Sequence, residues 1–245
     1  MSWGEQVFRY CERGQDVGLF AEPLNVVSNL AFLVVAGIAA RRLRHARARE
    51  AAGKQSMPPE TLALASMIAL VALIGLGSLV FHVTATRWAQ IADVAPITAF
   101  MVLYLAFALR ALLCLRWPWV ALGTAAFAAA LGLAVAACSP SEGDMRLACL
   151  NGGAAYVPAL LALAGVGGVL GMRGHAAGPR LLSAAAVFLV SLVMRTADLA
   201  LCPATGLVFA RPPGLHFLWH ILNAVALHLL LEAAAAPDER RITLR

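Results

Sequence analysis

Seven apolar runs, each about as long as a bilayer is thick, constrain this chain more than any other feature. They cover about Leu24–Ala40, Thr61–His82, Ile91–Leu113, Val120–Ala137, Gly152–Met172, Leu181–Leu201 and Leu215–Ala234. A helix needs about 20 predominantly apolar residues to cross the hydrocarbon. In lipid every backbone N–H and C=O must be satisfied within the segment, so runs of this length read as helices. Composition agrees: 61% of the 245 residues are hydrophobic, 13% are charged, and the mean hydropathy is +0.80. A soluble domain carries roughly 25% charged residues. The expected fold is an all-α membrane protein, a bundle of about seven transmembrane helices forming one domain over residues 1–245. Residues 1–22 are expected as an N-terminal extramembrane segment and 237–245 as a charged cytoplasmic tail. MSWGEQVFRYCERG has no short apolar stretch ending in a small-residue cleavage site, so no removable signal peptide is expected.

The net charge of +6 does not point to nucleic acid, because the basic residues crowd between apolar runs, above all from Arg41 to Arg49. No soluble domain is left to present a basic face. Such crowding reports membrane orientation. Loops 41–60, 110–118 and 173–180, with the tail, hold most of the Lys and Arg, whereas the alternate loops hold Arg87, Arg146 and Arg211. The positive-inside rule then places the N-terminus outside and the C-terminus in the cytoplasm. The abundance of Ala, Arg, Gly and Leu suggests a GC-rich bacterial genome, and hence the bacterial inner membrane. The expected partners are the lipid bilayer and a membrane lipid substrate, and no obligate protein partner is evident.

Polar residues fall where this topology converges. His82 lies near the outer end of the second run, Asp93 near the outer start of the third, and His216 and His220 in the first outer turns of the seventh. His216 and His220 are spaced i, i+4 on one helix face, which suits two ligands on one metal. Ser78 and His82 share a face in the same way. Three neutral imidazoles with an open fourth position are a common catalytic zinc set, in which the metal acidifies a bound water. Asp93 is then available as a general base and Ser78 as a hydrogen-bond donor to an oxyanion. An ionised Asp at a helix centre costs about 2.5–3.5 kcal/mol on insertion scales, less near the interface. Structural zinc binding contributes about 10–16 kcal/mol in zinc-finger peptides, so a metal would offset the whole cluster.

Other polar residues read more plainly. Arg195 and Asp198, spaced i, i+3, are expected as a buried ion pair that fixes helix packing. Asn25, Ser28, Asn29 and Asn223 are expected as interhelical hydrogen-bond glue. Glu22, just before Pro23, is expected to face the N-terminal dipole of the first helix rather than a metal. Cys11, Cys138, Cys149 and Cys202 all fall outside, where disulfides persist, and Cys114 should be free. Cys138 and Cys149 bracket one loop and could pair, leaving Cys11 for Cys202, although connectivity does not follow from sequence.

Glu22-Pro23-Leu24-Asn25-Val26-Val27-Ser28-Asn29-Leu30, Gly77-Ser78 through Phe81-His82, Thr86-Arg87-Trp88-Ala89-Gln90 with Asp93, and His216-Phe217-Leu218-Trp219-His220 together resemble the alkaline ceramidase family. The resemblance runs in order along nearly the whole chain. It is more distant from the adiponectin and progestin receptor group, which has a similar Ser/His/Asp/HxxxH set and the opposite membrane orientation. It implies a seven-helix intramembrane amidase that cleaves ceramide to sphingosine and a fatty acid. By this similarity His82, His216 and His220 would hold zinc, Asp93 would move the proton, and Ser78 would support the oxyanion. The resemblance also implies a calcium site. Glu12 and Glu22 match its pattern, Arg9, Tyr10 and Gly14 depart from it, and Asp16 is an available substitute. The family's N-terminal disulfide would correspond to Cys11–Cys202. The leading expectation is a zinc-dependent hydrolase of ceramide or a related N-acyl lipid. The alternatives are a receptor-like or sensor-like bundle with structural zinc, which a fourth protein ligand would favour, and a proton or solute pathway.

Overall fold

A computed structural model describes residues 2–53, 60–138 and 149–235. The expected tail, and the stretch carrying Arg146, lie outside the described residues. Helices α1 (Pro23–Ser28) and α2 (Leu30–Ala51) make the first span and α3 (Thr61–Thr84) the second. The third is α4 (Arg87–Phe107), continued by a π-helical turn at Ala108–Leu112, and the fourth is α5 (Trp117–Ala137). A 3-10 segment at Leu150–Tyr156 leads into α6 (Val157–Met172), followed by α7 (Ala177–Ala197) and α8 (His216–Ala235). Seven spans among the described residues are thus long and apolar enough to cross a membrane, and the protein is a multi-pass helical membrane protein.

Some boundaries differ from expectation. The basic stretch assigned to a loop from residue 41 is helical as far as Ala51. Ala, Arg and Leu are strong helix formers, so leaving the apolar run does not end the helix. The sixth span starts at Ala177 and stops at Ala197, about one turn earlier than the apolar run.

Packing places α8 centrally: it contacts α7, α2, α3 and α1. Met67, Val71, Leu181, Ala184 and Ala233 are completely or almost completely buried. Leu62, Leu133, Leu161 and Met172 lie on the outer surface, as residues facing acyl chains do. The closest approach is between α3 and α4. A Cβ at Gly77 would lie 2.1 Å from the carbonyl oxygen of Ala92, so only glycine fits there. Pro96, inside α4, has no N–H to offer the Ala92 carbonyl. The bared carbonyl therefore faces a position on α3 without a side chain, which brings Ser78 and Asp93 side by side.

Residues 2–22 lie across one end of the bundle. Val7 N–H donates to the Ala85 carbonyl at 2.6 Å and Arg87 N–H to the Glu5 carbonyl at 3.0 Å. Arg87 also pairs with the Glu5 carboxylate at 3.0 Å. The Cys11–Cys202 disulfide ties the segment to the connection between α7 and α8. Cys138–Cys149 is the second disulfide and Cys114 is free, both as the sequence suggested.

Candidate metal centre

Two helix ends meet beneath this covering segment. His82 comes from the last turn of α3, and His216 and His220 from the first turns of α8. All three are at least 98% buried. One ring nitrogen from each lies within 4.8 Å of the others, the geometry of a three-ligand metal site. No fourth His, Cys, Asp or Glu joins this group among the described residues.

The nitrogens themselves test whether a metal fits. His82 Nε2 and His216 Nδ1 are buried without a hydrogen-bond partner. Buried polar atoms are nearly always paired, so two orphaned nitrogens within one histidine cluster call for a cation. The opposite sides of the rings are held. His82 Nδ1 hydrogen-bonds to the Glu22 carboxylate, and His220 Nδ1 lies 2.8 Å from Ser28 Oγ. Histidines that ligate metals are commonly oriented in this way by a carboxylate or other acceptor on the second nitrogen. The residues present thus suit a zinc ion bound by three imidazoles.

His216 is placed through its backbone. Its N–H donates to Asp198 Oδ1 at 3.0 Å, and the same carboxylate accepts from Leu215 N–H at 2.7 Å and Cys11 N–H at 3.0 Å. Asp198 therefore caps a helix that it does not belong to. Burial pushes its carboxyl above the usual range even though three N–H groups and Arg195 pull it down. The expected Arg195–Asp198 ion pair does not form. Arg195 donates instead to the Tyr10 hydroxyl at 3.2 Å, because Asp198 lies past the end of α7 and turns toward α8. Gly214 makes this junction possible. Its φ is +62°, and a Cβ there would lie 2.3 Å from Asp198 Oδ1 and 2.6 Å from Cys11 Cβ.

Glu22 also differs from expectation. Its carboxylate does not cap α1; it accepts from Arg13 Nε at 2.5 Å, Asn25 Nδ2 at 2.9 Å and His82 Nδ1. Burial alone would raise its pKa, but His82, Arg13 and Asn25 outweigh burial and hold it below the ordinary value. The dipole partner of α1 is Glu12, which accepts from Leu24 N–H at 2.8 Å and Asn25 N–H at 2.9 Å. Burial raises the Glu12 carboxyl despite those bonds. Asp16 accepts from Gly18 N–H at 2.7 Å and pairs with Arg211 at 2.5 Å, contacts that lower its pKa. The three carboxylates considered for calcium are thus committed to different partners and do not converge on one point. A guanidinium stands among them instead: Arg13 donates to Glu22 and to the carbonyls of Asp16, Gly18, His82 and Val83.

Ser78 and Asp93 reach the same centre. Ser78 Oγ lies 3.5 Å from His220 Nε2 and sits beside the Asp93 carboxylate. Both residues line a cavity together with His216, His220 and Arg195. Below them its wall is apolar, with Phe100, Phe127, Leu163 and Leu227, and it reaches Leu230, ten positions or roughly 15 Å along α8 from His220. Sequence reasoning found His82, His216, His220, Asp93 and Ser78. It misread Glu22, while Ser28 makes the interhelical hydrogen bond expected of it, and it missed Tyr10, whose ring stacks on His216 at 3.7 Å between centroids. A tyrosine in an irregular polar segment gives no periodic signal of such a contact.

A family model described as Ceramidase matches residues 8–236. No curated protein matches the chain.

Proposed function

The chain belongs to the ceramidase family, and we propose that it is a zinc-dependent intramembrane hydrolase cleaving the amide of ceramide or a related N-acyl lipid. The observation that carries this reading is the junction of two features: a buried three-histidine cluster with two orphaned nitrogens, and an apolar cavity that starts at that cluster. The first suits a Lewis acid with an open position. The second suits an acyl chain whose amide stops at the cluster. A structural zinc site would favour a fourth protein ligand, and none joins the group among the described residues.

In this reading His82, His216 and His220 hold the metal. Zinc, when bound, polarises the amide carbonyl and lowers the pKa of a bound water. Asp93 takes a proton from the attacking water and delivers it to the leaving nitrogen, as a general base and then a general acid. Ser78 donates a hydrogen bond to the carbonyl oxygen as negative charge develops there. Glu22, Ser28 and Asp198 position the three histidines. Water and amide give a carboxylic acid and a free amine, so no oxidant or group donor is required. The distribution of Arg and Lys supports an N-terminus outside and a C-terminus in the cytoplasm.

The test is metal content of the purified full-length protein by mass spectrometry, beside His82→Ala/His216→Ala and His220→Ala. About one zinc per chain is expected in the wild type and none in the variants. Absence of a transition metal from the wild type refutes the hydrolase reading.

A further inference from the structure

We propose that Arg195 is an anion-binding residue that selects N-acyl lipids carrying a carboxylate on the amine half, close to the scissile amide. The inference rests on the amide-hydrolase reading of the metal centre.

Arg195 sits in the last turn of α7 and lines the same cavity as Asp93, His216 and His220. It is 9% exposed. A guanidinium stays charged in any protein environment and offers five N–H donors. Here it forms no ion pair among the described residues, and its one side-chain hydrogen bond goes to the neutral Tyr10 hydroxyl. Its Nε is buried without a partner. Three rings surround the charge instead: Trp219 at 5.1 Å, Tyr156 at 5.5 Å and Tyr10 at 5.7 Å from the guanidinium carbon. Aromatic faces support a cation but accept none of its remaining in-plane N–H groups. Asp93, in the same cavity wall, acts on the guanidinium electrostatically but does not pair with it, and the other buried charges near the site are compensated within the protein. Arg13 has Glu22 and four carbonyls, Asp198 has three N–H groups, and Glu12 has two. An arginine left without a paired anion in a cavity wall is therefore a site for one, and its fork matches a carboxylate bidentately.

Position says which part of a substrate meets it. Tyr10 stacks on His216 and also lies under the Arg195 guanidinium, so the cation is one ring away from the metal cluster. It is at the polar end of the cavity, and the apolar limb runs the other way, to Leu230. With the carbonyl at the histidines and the acyl chain in the apolar limb, the amine half of the amide is left on the Arg195 side. A carboxylate there identifies an N-acyl amino acid type of lipid. The fatty acid released by hydrolysis carries the same group, and the test separates the two sources.

Binding is measured on the zinc-loaded full-length protein in lipid nanodiscs, by displacement of a fluorescent fatty acyl probe. The competitors are N-palmitoylglycine, N-palmitoylethanolamine and palmitic acid, which share one acyl chain. The wild type should bind N-palmitoylglycine at least about tenfold more tightly than the neutral ethanolamide, in line with a charge-assisted bidentate contact. Arg195→Gln should erase that preference, keep the zinc content and leave ethanolamide binding within about threefold, and Arg195→Lys should restore part of it. A wild type without preference for the glycine conjugate overturns the proposal with no variant needed. Equal weakening of all three ligands by Arg195→Gln overturns it as well, since that is the signature of packing. A loss confined to palmitic acid assigns the anion to the product and refutes the substrate assignment. Hydrolysis is followed in parallel: if none of the amides is cleaved, the hydrolase reading fails, while the binding preference still decides the role of Arg195.

Discussion

Glu22 is where the metal centre and the stability of the covering segment meet, and Glu22→Gln separates the two. Three donors converge on its two oxygens: Arg13 Nε, Asn25 Nδ2 and His82 Nδ1. Glutamine keeps the shape but offers one acceptor oxygen and turns an NH2 group toward a donor. Two losses follow. His82 loses the anion that orients it, and removing the partner of a metal-ligating histidine typically costs about 10–100-fold in metal affinity, or about 1.4–2.8 kcal/mol. Arg13 loses its only carboxylate while 98% buried. Breaking a buried pair costs about 3–5 kcal/mol, and the low end applies because Arg13 keeps carbonyl contacts at 2.7, 2.9 and 3.1 Å. Arg13→Met is the control, since it leaves the carboxylate on His82. Both variants should lower Tm, by competing chelator titration only Glu22→Gln should weaken zinc tenfold or more, and Arg13→Met should stay within about threefold. If Glu22→Gln loses Tm but binds zinc like the wild type, the carboxylate is structural and the orientation argument for His82 is wrong.

The remaining expectations are shorter. Asp93→Asn should retain one zinc per chain and lose turnover by at least about 10²-fold, measured as kcat on any cleaved N-acyl lipid; full activity would remove Asp93 from proton transfer. Gly214→Ala forces a side chain into the left-handed region and against Asp198, so a loss of about 1–3 kcal/mol is expected, with weaker zinc because His216 is displaced. An unchanged Tm in that variant would contradict the tight junction. Replacing Cys11 and Cys202 with Ser opens a closure spanning 191 residues, and a loss of about 2–4 kcal/mol should appear in thermal unfolding. The same double variant should leave the Cys138–Cys149 bond intact by mass mapping.

The spans and the convergence of His82, Asp93, His216 and His220 were legible because each rests on a short-range rule. Apolar length identifies a span, charge asymmetry orders the ends, and i, i+4 spacing sets a helix face. The outer contacts obeyed no such rule. Spacing of i, i+3 suggested that Arg195 and Asp198 pair, but that spacing brings side chains together only while the helix continues, and α7 ends at Ala197. Glu22 stands before a proline at a helix start, which ordinarily marks a dipole partner. The covering segment instead delivers Glu12 to that role and frees Glu22 for His82. Which carboxylate goes where depends on how residues 2–22 are draped and on a disulfide to Cys202, neither of which has a period in the sequence.

Placement of charge carries the same logic into function. Ionisable groups inside membrane proteins are expensive and survive where they are compensated or used. At the covered end of this bundle the carboxylates of Glu12, Glu22 and Asp198 are each satisfied by groups of the protein itself. Two elements are not: the orphaned nitrogens of His82 and His216, and the guanidinium of Arg195. Both lack a partner that the chain could have supplied, as it did for Arg13. A cation at the histidines and an anion at Arg195 would complete both, and a metal-activated amide with a carboxylate beside it is one molecule that places the two together.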